Sequence, residues 1–323
     1  MLEINKTSAL KKLCEQYRLH PAKDYGQNFL ITDAPIKKML EAAELKASDI
    51  VVEIGPGFGI LTFALAERVK KVIAFEIEKR LQPYWDDLEI RDRGGRGDRE
   101  INRDKEIRDR EIRDRVEIKW GNALAQLSPI SYLLSHYKVV ANLPYQITSQ
   151  TLRAILELPN KPELIVIMVQ KEVAERICSK PGEMSLLSVA VQYYGEPKIV
   201  AKVPAGSFWP RPKVESAIVR VTISPHHRIT SSLDHHERDK KFFKVVRVGF
   251  ARKRKMLWSN LAKGLKLDGG KVKAVLREVV GNEKVRAEDV GVEEWRVITA
   301  SLHHIITTSH RHGITTSPHH IIT

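Results

Sequence analysis

The chain has 323 residues, 42% of them hydrophobic and 29% charged, with a formal net charge of +14. That length covers two domains and that composition buries a real core, which excludes a fibrous or disordered class, while a balance so basic suits a polyanionic partner. Two cysteines without paired spacing, Cys14 and Cys178, exclude a disulfide framework and a zinc ribbon and suit a reducing cytosol.

MLEINKTSALKKLCEQY at the start lacks the apolar core of a signal peptide, and the longest apolar run, LIVIMV at 164–169, is too short to cross a bilayer. A cytoplasmic protein without a membrane segment is expected. IVVEIG (50–55) is a β-branched run closed by glycine, and LTFALAERV (61–69) follows at helical spacing. KVIAFEI (71–77) predicts a second strand and EKRLQPYWDDL a helix after it.

Between these strands lies EIGPGFG (53–59), where Glu53 precedes Gly55, Gly57 and Gly59. Glycines that end a strand and open a helix let backbone N–H groups approach a ligand closely. Glu76 ends the next strand, where a carboxylate can accept bonds from both hydroxyls of a ribose. The Gly-x-Gly-x-Gly spacing is one residue tighter than the dinucleotide fingerprint, which favours an S-adenosylmethionine site. A tight turn without a ligand remains the alternative.

Residues 89–115 repeat EIRDR-like units; ten Lys/Arg against nine Asp/Glu leave a net charge of only +1 there. So few large apolar residues predict a loop excursion or a solvated helix. VEIKW (116–120) then leads into Gly121, Asn122 and Ala123, and YKVVANL (137–143) leads into a helix at 148–158.

ANLPYQ (141–146) ends that strand with an amide, a proline and a tyrosine. The lone pair of an exocyclic amine on a base is delocalised into the ring. Acceptors beside the amine draw it toward a tetrahedral geometry and free the lone pair. Asn142 and the Leu143 carbonyl supply acceptors, Pro144 fixes the turn, and Tyr145 can stack on a base lifted out of its helix. A capped strand exit with a core-facing tyrosine would serve structure alone.

ELIVIMVQ (163–170) is a fifth strand, and KIVAKVP (198–204) with SAIVRVTI (216–223) predicts an antiparallel hairpin at one edge. The βαβ rhythm with near-continuous apolar strands gives an α/β class with a parallel, doubly wound sheet. From 239 on, only helices are expected. Residues 241–256 carry seven Lys/Arg and no acid, interleaved with Phe242, Phe243 and Phe250, which favours a nucleic-acid face over a bland solvated one. Ten of the twelve histidines fall in 226–236 and 303–323, without the Cys or carboxylate partners a metal tract needs. No metal site is expected.

Asn-Leu-Pro-Tyr resembles the signature of the adenine N6 methyltransferases. Four further stretches are similar to one family among them, the small-subunit ribosomal RNA adenine dimethyltransferases: DYGQNFL (24–30), EIGPGFGILT (53–62), FWPRPKVESAIVRV (208–221) and FFKVVRVGFARKRKMLWSNL (242–261). The resemblance covers residues 20–300 apart from the 89–115 excursion. It implies a Rossmann-like S-adenosylmethionine-dependent methyltransferase domain over 1–225 and a small all-helical RNA-binding domain over 239–302, while the low-complexity His-rich pattern predicts a disordered tail over 303–323.

By the same resemblance Gln27 and Asn28 lie over the cofactor with Leu30 nearby, Gly55 and Gly57 meet its methionine part, Glu76 meets its ribose, and Glu53 and Asn142 also belong to the cofactor site. Asn142, Leu143, Pro144 and Tyr145 form the methyl-transfer site, and Phe208 closes the other face of a flipped adenine. Lys244, Arg247, Arg252, Lys253, Arg254 and Lys255 contact RNA phosphates. The implied partner is small-subunit rRNA in a pre-subunit particle, met by a monomer during ribosome biogenesis.

One position departs from the pattern. Asn122 stands where the family carries an aspartate that receives the cofactor's adenine amine, so weaker cofactor binding through the neutral amide oxygen is expected. Three other readings stay open: a resistance-type methyltransferase of large-subunit rRNA, a non-catalytic ribosome assembly factor and, least supported, a nicotinamide dehydrogenase.

Overall fold

A computed structural model describes residues 7–19, 21, 28–90, 103–228 and 233–312. It divides into two compact units, Met1–Cys178 with Tyr194–Thr230, and Ser179–Tyr193 with Ser231–Thr323.

The first unit begins with α1 (Thr7–Gln16), β1 (Phe29–Leu30), α2 (Asp33–Ala43), β2 (Ile50–Ile54), α3 (Ile60–Ala66), β3 (Lys71–Glu76) and α4 (Gln82–Ile90). It continues through α5 (Arg103–Asp114), β4 (Val116–Trp120), α6 (Ala123–Leu133), β5 (Lys138–Asn142), α7 (Thr148–Leu156), β6 (Leu164–Gln170) and α8 (Lys171–Ile177). After α9 (Leu186–Tyr194), which belongs to the second unit in all but its last residue, come β7 (Gly195–Val203), β8 (Phe208–Trp209), β9 (Ser216–Ile223) and α10 (Pro225–Arg228).

Among the described residues seven strands form one sheet in the order β4-β3-β2-β5-β6-β9-β7. The first five run parallel, whereas β9 pairs antiparallel with both β6 and β7. The parallel strands β2 and β6 are buried almost throughout, as their near-continuous apolar sequences require. The edge strand β4 is only half-buried and is charged: Glu117 pairs with both Lys71 and Lys119, which discourages further strand addition.

The predicted hairpin is present, but its connection is not a plain loop. β8 leaves it to pair with β1 in a small second sheet, setting Leu30 opposite Phe208 and Phe29 opposite Trp209. The charge-dense excursion forms a helix where it is described, and the helix is anchored. Ile112 of α5 is 5% exposed in the core, and Arg115 donates to the Ala66 carbonyl at 3.2 Å.

The second unit gathers α11 (Leu233–Gly249), α12 (Leu257–Leu265), α13 (Gly269–Val280) and α14 (Val292–His312). Its core holds Trp295, Leu257, Leu261 and Leu276, all fully buried. The Asp268 side chain caps α13 through the Lys271 N–H at 2.9 Å.

Two boundaries differ from the expected ones. Ser179–Tyr193 joins the second unit rather than the sheet domain, because the Tyr193 ring stacks on Phe242 at 4.0 Å and its hydroxyl donates to Asp239 at 2.8 Å. The tail expected to be disordered from 303 is helical through His312. Ile305 and Ile306 extend the stripe of Trp295, Ile298 and Leu302 at helical spacing, and both are half-buried. Among the described residues no helix is long and apolar enough to cross a membrane.

Candidate active site

The strand order reverses between β2 and β5, the point at which an open α/β sheet presents a crevice beyond its carboxyl ends. The ends of β2, β3, β4 and β5 line one cavity there of about 340 Å³, a size that suits a small-molecule ligand. Asn28, Leu30, Glu53, Gly55, Gly57, Glu76 and Asn122 all reach it, and so do Asn142, Leu143, Pro144 and Tyr145. Eleven positions from five stretches of the chain therefore converge on one surface.

The glycine loop is shaped by its surroundings. Gly57 has φ 58°, and a Cβ there would lie 3.1 Å from the Phe29 ring. Gly59 has φ 82°, and a Cβ there would strike Phe63 and Trp85 at 2.6 and 2.9 Å. Both positions need glycine on conformation and on space. From α4, the Trp85 indole donates to the Gly57 carbonyl at 3.1 Å and the Tyr84 hydroxyl to the Phe58 carbonyl at 2.9 Å.

Glu76 is 4% exposed. Its two oxygens accept the Gly57 N–H at 3.0 Å and the Glu78 N–H at 2.8 Å. Burial pushes its carboxyl up, and the Glu78, Gly57 and Ile77 N–H groups pull it back. A carboxylate has about four acceptor positions, so capacity remains for two hydroxyls.

Glu53 is fully buried behind the loop. Burial pushes it up to about 8; the nearby Thr62 hydroxyl opposes that rise and the Glu76 charge adds to it. Its Oε2, like the Thr62 hydroxyl, has no hydrogen bond of good geometry among the described residues. An orphaned acid oxygen lining the cavity fits a ligand that brings a donor, such as an ammonium.

The turn after β5 is tightly fastened. Leu143 N–H donates to the Met168 carbonyl, and both Ile147 N–H and the Thr148 hydroxyl donate to the Pro144 carbonyl, all at 3.2 Å. Asn142 directs Nδ2 toward the Asn28 carbonyl at 3.5 Å. Neither its Oδ1 nor the Leu143 carbonyl meets a donor among the described residues, so two acceptors are left at the cavity wall.

Asn122 has a second task. Its Oδ1 already accepts the Leu124 N–H at 2.9 Å as the N-cap of α6, so the oxygen expected to meet the cofactor also serves the helix. An aspartate would cap with one oxygen and keep a second, charged one free.

Phe208 is not brought to the cavity surface. It is 2% exposed in the core, held by its pairing with Leu30. Gln27 lies outside the described residues. Lys244, Arg247, Arg252, Lys253, Arg254 and Lys255 are all exposed in the second unit, the last four on the turn between α11 and α12. Of their interleaved aromatics, Phe242 is buried against Tyr193, and the half-buried Phe250 packs on Trp295 at 5.8 Å between centroids.

Several residues of the site were not anticipated. Phe29 and Ile77 line the cavity, and Tyr84, Trp85 and Thr148 brace it. Ile77 is 57% exposed, an apolar side chain beside the Glu76 carboxylate. Position alone marks it, since it follows the acid that ends β3.

The family described as ribosomal RNA adenine dimethylase matches residues 19–92 and 122–303. A protein of Dehalococcoides mccartyi named ribosomal RNA small subunit methyltransferase A is 39% identical over 288 residues, covering 89% of this chain and 90% of that protein. One of the same name from Halothermothrix orenii is 35% identical over 90% of this chain and 91% of its own length. Among solved structures, the 23S rRNA methyltransferase ErmE superposes with a TM-score of 0.63 at 25% identity over 85% of this chain and 100% of its own. A dimethyladenosine transferase from Plasmodium falciparum gives a TM-score of 0.64 at 22% identity over 85% of this chain and 98% of its own, a likeness of fold.

Proposed function

Because the chain belongs to the ribosomal RNA adenine dimethylase family, we propose that it methylates the N6 atoms of two adjacent adenines in small-subunit rRNA, with S-adenosylmethionine as cofactor. One observation carries the reading. The residues of the Asn142–Tyr145 turn line the same cavity as the glycine loop and Glu76. The small subunit is favoured because the relatives at 35–39% identity carry that name.

When bound, S-adenosylmethionine would supply an electrophilic methyl group. Glu76 would accept the ribose hydroxyls, the glycine loop would give close backbone approach, and Ile77 would pack on an aromatic face. Glu53 would offer its unpartnered oxygen to an ammonium. Asn142 Oδ1 and the Leu143 carbonyl would accept the N6–H bonds of the target adenine. They would thereby turn its lone pair toward the methyl group. Tyr145 would hold the base by its face. The amine becomes a strong acid once alkylated, so its proton leaves to water and no general base is required. What the chain contributes is alignment and acceptor geometry, worth several kcal/mol when reacting atoms are held in line. The exposed cations of the second unit would grip phosphates, a contact that supplies affinity more than sequence choice.

The test is transfer of labelled methyl to unmethylated small and large ribosomal subunits, with mass spectrometry of the digested RNA. Dimethyladenosine in the small subunit alone, lost in Asn142→Ala, is the expected result. Label in the large subunit would overturn the substrate assignment. Small-subunit binding without label would leave a binding protein in place of an enzyme.

A further inference from the structure

The backbone of the 142–147 turn is held by bonds to Met168, Ile147 and Thr148. The Tyr145 side chain is held differently. Its hydroxyl lies 2.7 Å from Ser216 Oγ, and either atom can donate. Ser216 is fully buried and opens β9 between two neighbours, opposite Gln170 of β6 and Val203 of β7. Its Cα is therefore fixed by the sheet on both sides. Tyr145 lines the cavity and Ser216 does not.

We propose that Ser216 is a positioning residue for methyl transfer, whose buried hydroxyl anchors the tip of Tyr145 so that the ring makes a fixed platform for the target base. The proposal rests on the role given to Tyr145 under the proposed function. Pro144 and the two bonds to its carbonyl determine where the tyrosine's Cα sits. They leave the ring free to swing about its side-chain torsions. A bond at the far end of the ring removes that swing, and a fixed face is what stacking on a base requires.

The neighbourhood explains why a hydroxyl stands here. Ala217, Ile218 and Val219 follow it and are buried, so an apolar residue would suit β9 as well. A buried hydroxyl is costly unless bonded, and among the described residues Tyr145 is the side-chain partner of this one. Burial also pushes the Tyr145 phenol up, and the bond to Ser216 only partly reverses that, so the ring stays neutral and keeps its proton for the bond. The bond links residues 71 positions apart, from the turn after β5 to the first residue of β9.

Ser216→Ala and Tyr145→Phe each delete the bond and keep the ring. Single-turnover methyl transfer, KM for small subunits and calorimetric binding of S-adenosylhomocysteine would be measured on both and on the double variant. Each single change should slow transfer by about three- to tenfold, the range a single neutral hydrogen bond commands. Cofactor affinity and KM should stay within about twofold, and the double variant should be no slower than the slower single one, since both remove one interaction. Wild-type transfer in Tyr145→Phe, or effects that multiply in the double variant, would overturn the proposal. Should Ser216→Ala fold poorly, Tyr145→Phe tests the same bond from the other side. Tyr145→Ala separates the two ideas. Loss of transfer there with full transfer in Tyr145→Phe removes the anchor and keeps the platform, whereas full transfer in Tyr145→Ala removes both.

Discussion

Glu76 and Gly57, 19 positions apart, are joined by a hydrogen bond of 3.0 Å from the loop N–H to the buried carboxylate. The acid that would meet a ribose thus also shapes the glycine cradle beside it. Glu76→Gln keeps one acceptor but turns an NH2 group toward one of the two N–H donors. S-adenosylhomocysteine should bind about tenfold more weakly by calorimetry, because a charge-assisted acceptor is lost and a donor is orphaned.

Gly57→Ala should act through conformation. An L-residue at φ 58° costs about 1–2 kcal/mol, and the new methyl would press on Phe29. Urea unfolding should register that loss, and cofactor affinity should fall with it.

Glu53 makes stability depend on pH. Its folded value of about 8 lies above the ordinary 4.5, so the folded chain holds a proton that the unfolded chain has released between those values. Its contribution is fully present below pH 4.5 and is lost as pH rises through 8. Wild-type stability should therefore fall from pH 6 to pH 8.5. Glu53→Gln should flatten that fall, as read from urea midpoints at the two pH values. An equal slope in the variant would assign the effect to another group.

Asn122→Asp should tighten S-adenosylhomocysteine binding by about five- to tenfold, since one carboxylate oxygen can keep the Leu124 cap while the other faces the cavity. A charge at the helix start also favours α6 by about 0.3–1 kcal/mol. Calorimetry and a thermal melt on the same sample check both.

Much of this was legible in the sequence. The apolar runs of β2, β3, β5 and β6 leave little choice but a covered parallel sheet, and the glycine loop and Asn142–Tyr145 follow those strands directly, so a crevice at the sheet's carboxyl edge collects them. What stayed hidden depends on long-range packing. The resemblance makes Phe208 a stacking residue, yet it pairs with Leu30 and lies in the core. Phe242 and Phe250 interleave with lysines and arginines, yet Phe242 is buried against Tyr193 and the half-buried Phe250 packs on Trp295. Nothing local to Ser216 or Trp85 reveals that each braces a turn distant in the chain.

The charged excursion carries a similar lesson in Ile112. Its spacing reads as solvated, but this side chain is buried with α3 and β4 around its helix. Ile112→Ala should cost about 2–4 kcal/mol, whereas alanine at the exposed Ile107 should cost under about 0.5 kcal/mol. Urea unfolding of the two variants measures the contrast.

The basic turn should show itself in salt dependence. Replacing Lys253, Arg254 and Lys255 with alanine should lower the slope of log affinity against log salt by about 0.7–0.9 for each phosphate no longer neutralised. Filter binding to a small-subunit rRNA fragment across a salt series reads it directly. An unchanged slope would move the RNA-binding surface elsewhere.

That turn has an internal brace. The buried Asn260 donates to the Gly249 carbonyl at 2.7 Å and the Arg252 carbonyl at 3.1 Å, and receives Arg252 Nε at 3.1 Å. The backbone that carries the cations is thus ordered when the protein folds, not when RNA arrives. Binding through it is the meeting of a preformed surface with a polyanion. Its heat-capacity change should be small, and its association rate should be governed by charge and diffusion with no folding step to wait for.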